Sequence, residues 1–230
     1  MNMEILPALM SLRLHTRLDG QRLFIVRGVT IRKRCDFMAD LYQTEGIIIN
    51  RMDIGEADKF LTVFTKEFGM LKIFARSVRK IKSKLNFYLN LFSHARFGFV
   101  SGRGAWHLID AEDLGHFDEI AKDRERSEVL GRAAGFLERF HHGEGKDIFL
   151  WQVFLSFLAS LKEIVPAHLD DLETVFYAKS LFLLGYLGEN EEFKRILEDT
   201  SFPLDSFPLT PELRLSLDVA IRKSMYESHL

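Results

Sequence analysis

Phe60-Leu61-Thr62-Val63-Phe64-Thr65, the polar corner Lys66-Glu67-Phe68-Gly69, then Met70-Leu71-Lys72-Ile73-Phe74-Ala75-Arg76: this stretch decides the fold. Both runs are rich in β-branched and aromatic side chains, which pack well on a pleated surface. The second run alternates with a period of two. Leu71, Ile73 and Ala75 share one face, and Lys72, Phe74 and Arg76 share the other. Gly69 can take the positive φ that a tight corner asks for. The stretch therefore predicts two paired strands with one apolar face and one face that mixes cations with an aromatic ring.

Working outward, Gly46-Ile47-Ile48-Ile49 is a β-branched run that ends in the polar turn Asn50 to Gly55. Downstream, Leu85, Tyr88, Leu89 and Phe92 have helical spacing and predict a short helix over 85–92. Ala95 to Val100, the turn Gly102-Arg103-Gly104, and Trp106 to Ala111 predict two more strands. Five short strands with one short helix between the third and fourth is the order of an OB-type barrel.

Past residue 114 the apolar period changes to about 3.6. Helices are predicted over 127–140 and 148–164, the latter ended before Pro166, and over 169–187 with Gly188 as C-cap. A short helix is expected over 193–197. The last one should run from Pro211 to about Glu227 with Thr210 as N-cap. The expected fold class is α+β: a five-stranded OB-type β-barrel over 38–115, followed by an all-α helical domain over 116–230.

At 47% apolar and 28% charged residues, the chain can bury a real core and stay soluble. No run reaches the ~18 apolar residues of a membrane-spanning helix. No apolar segment followed by a small-residue cleavage site opens the chain, so no signal peptide is expected. The single cysteine, Cys35, excludes an internal disulfide and a four-cysteine zinc site. A cytoplasmic setting fits these features.

The net charge of −2 conceals an asymmetry. Residues 66–103 hold nine Lys and Arg against one acid, net +8, whereas residues 114–230 hold 13 basic and 21 acidic residues, net −8. A basic half joined to an acidic half points to a polyanion on one side and another partner on the other. The densest part is Arg76-Ser77-Val78-Arg79-Lys80-Ile81-Lys82-Ser83-Lys84, with five positive charges and no acid. It leaves a strand whose outward face already carries Lys72 and Arg76, so the positive surface is continuous. Phosphates are drawn to such a surface by Coulomb attraction and by counterion release. Lys72, Arg76, Arg79, Lys80, Lys82, Lys84 and Arg103 are the expected phosphate contacts. Phe74, between two cations, is either a stacking surface for a base or a core residue.

Residues 1–37 carry seven basic side chains and three acids, with weak alternation from Leu23 to Ile31. Met38 reads like a fresh start. The expectation is a poorly ordered extension upstream of the native start; the competing reading is a basic arm that helps hold DNA.

No catalytic group, cofactor or metal is expected. Glu56 with Asp58, and Asp110 with Glu112 and Asp113, are carboxylate groupings of the kind that bind Mg²⁺ or act as acid and base. Each lies at a strand end beside cations, so ion pairing with Lys59, Arg103 or the basic loop is the expected role. His141 and His142 are adjacent, and on a helix they point about 100° apart. There is no Walker loop and no nucleophile elbow.

A family resemblance rests on an ordered set of residues. Tyr42-x-x-Glu45-Gly46-Ile47-Ile48-Ile49, Gly55-Glu56-Ala57-Asp58-Lys59 and Leu61-x-x-Phe64-Thr65 open it. Gly69-Met70-Leu71-Lys72, Ala75 to Lys80, Ser83-Lys84-Leu85 and Phe92-Ser93-His94 follow, and Glu112 closes it. This pattern, over residues 40–115, resembles the N-terminal domain of the RecO family of recombination mediators; Leu184-Gly185-Tyr186 is a weaker match. Three departures stand out: Ser77 replaces a usual glycine, Leu91 replaces a usual proline, and the four-cysteine zinc site of many relatives is missing. The resemblance implies DNA repair and homologous recombination of the RecF type. Its members bind single- and double-stranded DNA, anneal complementary strands, and work with RecR and single-stranded DNA-binding protein to help load RecA. The readings that compete with it are an RNA-binding OB protein, a metal-dependent nuclease using Glu56, Asp58 or Asp110, and an adaptor acting through the acidic helical domain.

Overall fold

The computed structural model describes residues 13–14, 22–26, 29–33, 40–80, 85, 88–102, 105–141, 143–203 and 207–228. Ahead of the barrel lie the strands β1 (Arg13–Leu14), β2 (Arg22–Val26) and β3 (Val29–Lys33). β2 and β3 pair antiparallel, and Arg32 pairs with Leu41 of the next strand. The remainder of the expected N-terminal extension lies outside the described residues.

The barrel is built from β4 (Leu41–Ile54), β5 (Asp58–Thr65), β6 (Gly69–Ala75), β7 (Ser93–Ser101) and β8 (Trp106–His116). Its order is β4-β5-β6-β8-β7, and β7 returns to pair with β4. Every contact is antiparallel except β6 with β8, where Ile73 faces Trp106 and Phe74 faces His107. Five strands closing on themselves through one parallel pair is the OB arrangement expected from the strand order.

β4 can serve two neighbours because it is long and irregular. Residues 41–47 pair with β7, and residues 46–54 pair with β5 across a register shift between Ile48 and Asn50. Gly46 lies where both ladders meet, and a Cβ there would stand 2.6 Å from the Val63 side chain and 3.2 Å from Phe97. Only a residue without a side chain fits. Gly69 closes the β5–β6 corner at φ +66°, as the sequence predicts.

Two cores result. Ile48, Leu61, Val63, Leu71, Ile73, Phe97 and Phe99 fill the barrel. Ile47, Ile49, Phe64 and Met70 point the other way and join the helices in a second core. The helices are α1 (Asp118–Lys122), α2 (Arg124–Phe140), α3 (Ile148–Glu163), α4 (Leu169–Leu183), α5 (Lys194–Leu197) and α6 (Pro211–Glu227). Asp123 caps α2 through the Arg126 N–H at 3.0 Å, and Asp147 caps α3 through the Leu150 N–H at 2.9 Å. Thr210 caps α6 through the Leu213 N–H with Pro211 in the first turn, as expected.

Several boundaries differ from the sequence expectation: α2 starts at Arg124 and not at 127, and β4 continues to Ile54 through the expected turn from Asn50. α4 ends at Leu183, not Leu187, because Gly185 at φ +79° turns the chain and Tyr186 and Leu187 donate back to the Leu181 carbonyl. Of the expected 85–92 helix, Leu85 and Tyr88 are in 3-10 conformation and Leu91-Phe92 form a turn. There Phe92, at φ +64°, donates its N–H to the Ile48 carbonyl at 2.8 Å and is buried. α1 is unforeseen, since its N-cap Phe117 offers no side-chain acceptor to betray it.

Candidate nucleic-acid interface

β6 places its residues as the alternation requires. Leu71, Ile73 and Ala75 are fully buried, while Lys72 and Arg76 are exposed and Phe74 is half-buried. Phe74 is therefore not a barrel-core residue. The Arg76 guanidinium lies over its ring, 5.7 Å from the centroid. His107, across the parallel pair, meets it edge-on at 5.9 Å. In register, Phe60 faces Phe74 and Met52 faces Phe60. Met52, Phe60, Phe74 and His107 thus form an unbroken row across four strands, with Met52 59% exposed.

The loop after β6 is pinned at its start. Ser77 adopts φ +57°, a left-handed conformation that costs a non-glycine residue ~1–2 kcal/mol. Its N–H donates to the Asp58 carboxylate at 2.7 Å, which holds the turn in place. Val78 plugs into the barrel core. Arg79 folds back: its backbone N–H donates to the Ala57 carbonyl, its guanidinium to the Gly55 carbonyl at 3.0 Å, and it pairs with Asp53 at 3.4 Å. Lys80 is exposed. Lys82, Lys84 and Arg103 lie outside the described residues.

The structure thus brings Lys72, Phe74, Arg76 and Lys80 to the outer side and turns Arg79 into a strut. Sequence reading missed Met52, Phe60 and His107, because only the strand register joins them to Phe74. Lys59, 7% exposed on the face of Leu61 and Val63, has its pKa lowered by burial and by the Arg51 charge.

Of the cations expected to pair with the carboxylate groupings, Arg103 and residues 81–84 lie outside the described residues. The Asp58 carboxylate accepts the Ser77 N–H. Glu112 pairs with Arg96 at 2.7 Å, and Asp110 accepts the Ala111 N–H at 2.9 Å. Asp113 accepts the Gly115 N–H at 3.1 Å. Among the described residues no three His, Cys, Asp or Glu side chains converge as metal ligands would. His141 packs edge-on against Phe64 at 5.4 Å, and His142 lies outside the described residues. No described helix is long and apolar enough to cross a membrane.

The profile of the family described as Recombination protein O N terminal matches residues 38–116, the five strands of the barrel. Over these residues the chain is similar to that family. Among relatives named DNA repair protein RecO, that of Halalkalibacterium halodurans is 25% identical over 151 residues, covering 66% of this chain and 59% of the relative. That of Roseiflexus sp. is 31% identical over 148 residues, covering 64% and 50%. That of Thermodesulfovibrio yellowstonii is 30% identical over 150 residues, covering 64% and 59%. The matched part therefore spans between half and three fifths of these RecO relatives. Ser77 leaves β6 with a positive φ, a conformation that glycine takes at no steric cost.

Proposed function

We propose that the chain is a DNA-binding protein of repair and homologous recombination, and that it binds without doing chemistry on the strand. The observation that carries this reading is the outer face of β6: Lys72 and Arg76 stand exposed on either side of the half-buried Phe74 ring. Similarity to the RecO family over residues 38–116 supports the same reading. Lys72, Arg76, Lys80, Lys82, Lys84 and Arg103 contact phosphates; they supply affinity with little sequence preference. Phe74 offers a stacking surface. Arg79 acts by holding the loop, with its charge shared between Asp53 and a strand phosphate.

The work of the bound state is annealing. Neutralising both backbones lets two complementary strands approach, and no catalytic group is needed for that. RecR and single-stranded DNA-binding protein are the protein partners, with RecA loading as the outcome, and both single- and double-stranded DNA are ligands.

Mixing two complementary oligonucleotides, one coated with single-stranded DNA-binding protein, tests the reading. The chain should accelerate duplex formation, and substitution of Lys72, Arg76 and Lys80 by alanine should abolish the acceleration. Annealing that survives this substitution rejects the face. Cleavage of the strand on addition of Mg²⁺, lost in Asp58→Ala, would establish the nuclease reading in its place. Preference for RNA over DNA of one sequence would establish the RNA-binding reading.

A further inference from the structure

A hollow of about 550 Å³ lies where the β7–β8 hairpin meets the end of α2. Met70 and Trp106 supply apolar lining. Lys72 lines it from the barrel, and Glu138, His141 and Glu144 line it from the helical side. Each carboxylate has one oxygen engaged. Glu144 accepts the Trp106 indole N–H at 2.7 Å, and Glu138 accepts the Asn50 amide at 3.2 Å. The second oxygen of each has no hydrogen-bond donor among the described residues.

We propose that this hollow takes one nucleobase of a bound strand and favours bases with an exocyclic amine over thymine. The inference rests on the DNA-binding reading above. Lys72 is exposed on β6 and also lines the hollow, so a strand whose phosphates follow Arg76 and Lys72 passes beside it. The volume is that of a small-ligand site. An aromatic and thioether lining suits a flat heterocycle. Two carboxylates repel a phosphate, so the backbone stays outside at Lys72. They accept instead from N–H groups, which the amino edges of cytosine, adenine and guanine supply. Thymine presents a carbonyl on each side of its single N–H, and those oxygens face the carboxylates.

The test uses the full chain and two labelled oligomers of roughly 20 nucleotides, one of deoxycytidine and one of thymidine, read by fluorescence anisotropy. The deoxycytidine oligomer should bind about fivefold more tightly. The double substitution Glu138→Gln and Glu144→Gln should reduce that ratio to less than about twofold while leaving the salt dependence unchanged. Trp106 emission supplies a second readout, because Trp151, the other tryptophan, is 1% exposed inside the helical core. Emission should change with the deoxycytidine oligomer and not with the thymidine one. Equal affinities in the unsubstituted chain, or a preference that survives the double substitution, overturn the proposal. Failure of the DNA reading looks different: neither oligomer binds, or binding ignores alanine at Lys72, Arg76 and Lys80.

Discussion

β5 and β6 carry outward aromatic residues at both ends of the sheet, and the two ends are put to opposite uses. At Phe64 the outer face is roofed: Trp151 lies 5.7 Å away, Phe154 5.8 Å, and the ring is fully buried. At Phe60 and Phe74 the roof has stopped, and the same kind of side chain is half-buried beside cations. The difference teaches that an outward aromatic residue on this barrel is glue where helices cover it and stays open to solvent where they do not. Sequence treats Phe64 and Phe74 alike; the reach of α2 and α3 separates them.

That contrast can be broken by substitution. Phe64→Ala should cost ~3–5 kcal/mol of stability in urea unfolding, because a large cavity opens in the seam between barrel and helices. Phe74→Ala should leave stability within about 1 kcal/mol while weakening single-strand affinity by roughly 1–3 kcal/mol. If the two substitutions destabilise equally, the outer row is core and the division fails.

Next in size is the charge on the open end. Alanine at Lys72, Arg76 and Lys80 together should flatten the dependence of log affinity on log salt by roughly 2–3 units, at ~0.7–0.9 per lost phosphate contact. Arg79→Ala should flatten it by less than about one unit and cost up to ~1 kcal/mol of stability, since its guanidinium is held by Asp53 and Gly55. An Arg79 effect on the slope as large as that of Lys80 would mean that the strut releases to meet DNA.

The roofed end has its own signature in acid. His94 stacks on Phe117 and lies 6.1 Å from Trp151, and burial, opposed by Glu45 and Asp113, lowers its pKa below 6.5. Between that lowered value and 6.5 the unfolded chain binds more protons than the folded one, so stability falls as pH drops through this window. His94→Gln should flatten the fall, measured as urea midpoints from pH 7 to pH 5. A slope unchanged by the substitution would assign the loss to other groups. The smallest expected effect is at the loop: Ser77→Gly should stabilise by roughly 0.5 kcal/mol, by relieving a left-handed residue whose N–H still reaches Asp58.

Much of this was legible beforehand. The alternation of Leu71 to Arg76 assigned the faces of β6, and Pro211 with Thr210 marked the start of α6. The order of strands anticipated a five-stranded barrel. What escaped were properties of pairing over distance. His107 reaches Phe74 only through a parallel bridge to a strand more than thirty residues on, and no local spacing announces it. Arg79 looked like its cationic neighbours, because nothing in a run of charges says which one an acid on another hairpin has claimed. The end of α4 comes earlier than Gly188 suggests, because the backbone turns at Gly185.

The closure of the barrel has one more consequence. Each of its five strands has a neighbour on both sides, β4 and β7 completing the ring. Where the ladders run, the peptide groups are taken by neighbouring strands. Whatever settles across those ladders meets the ends of side chains first. Such a surface can be rewritten by a few codon changes while the cylinder beneath it stays the same.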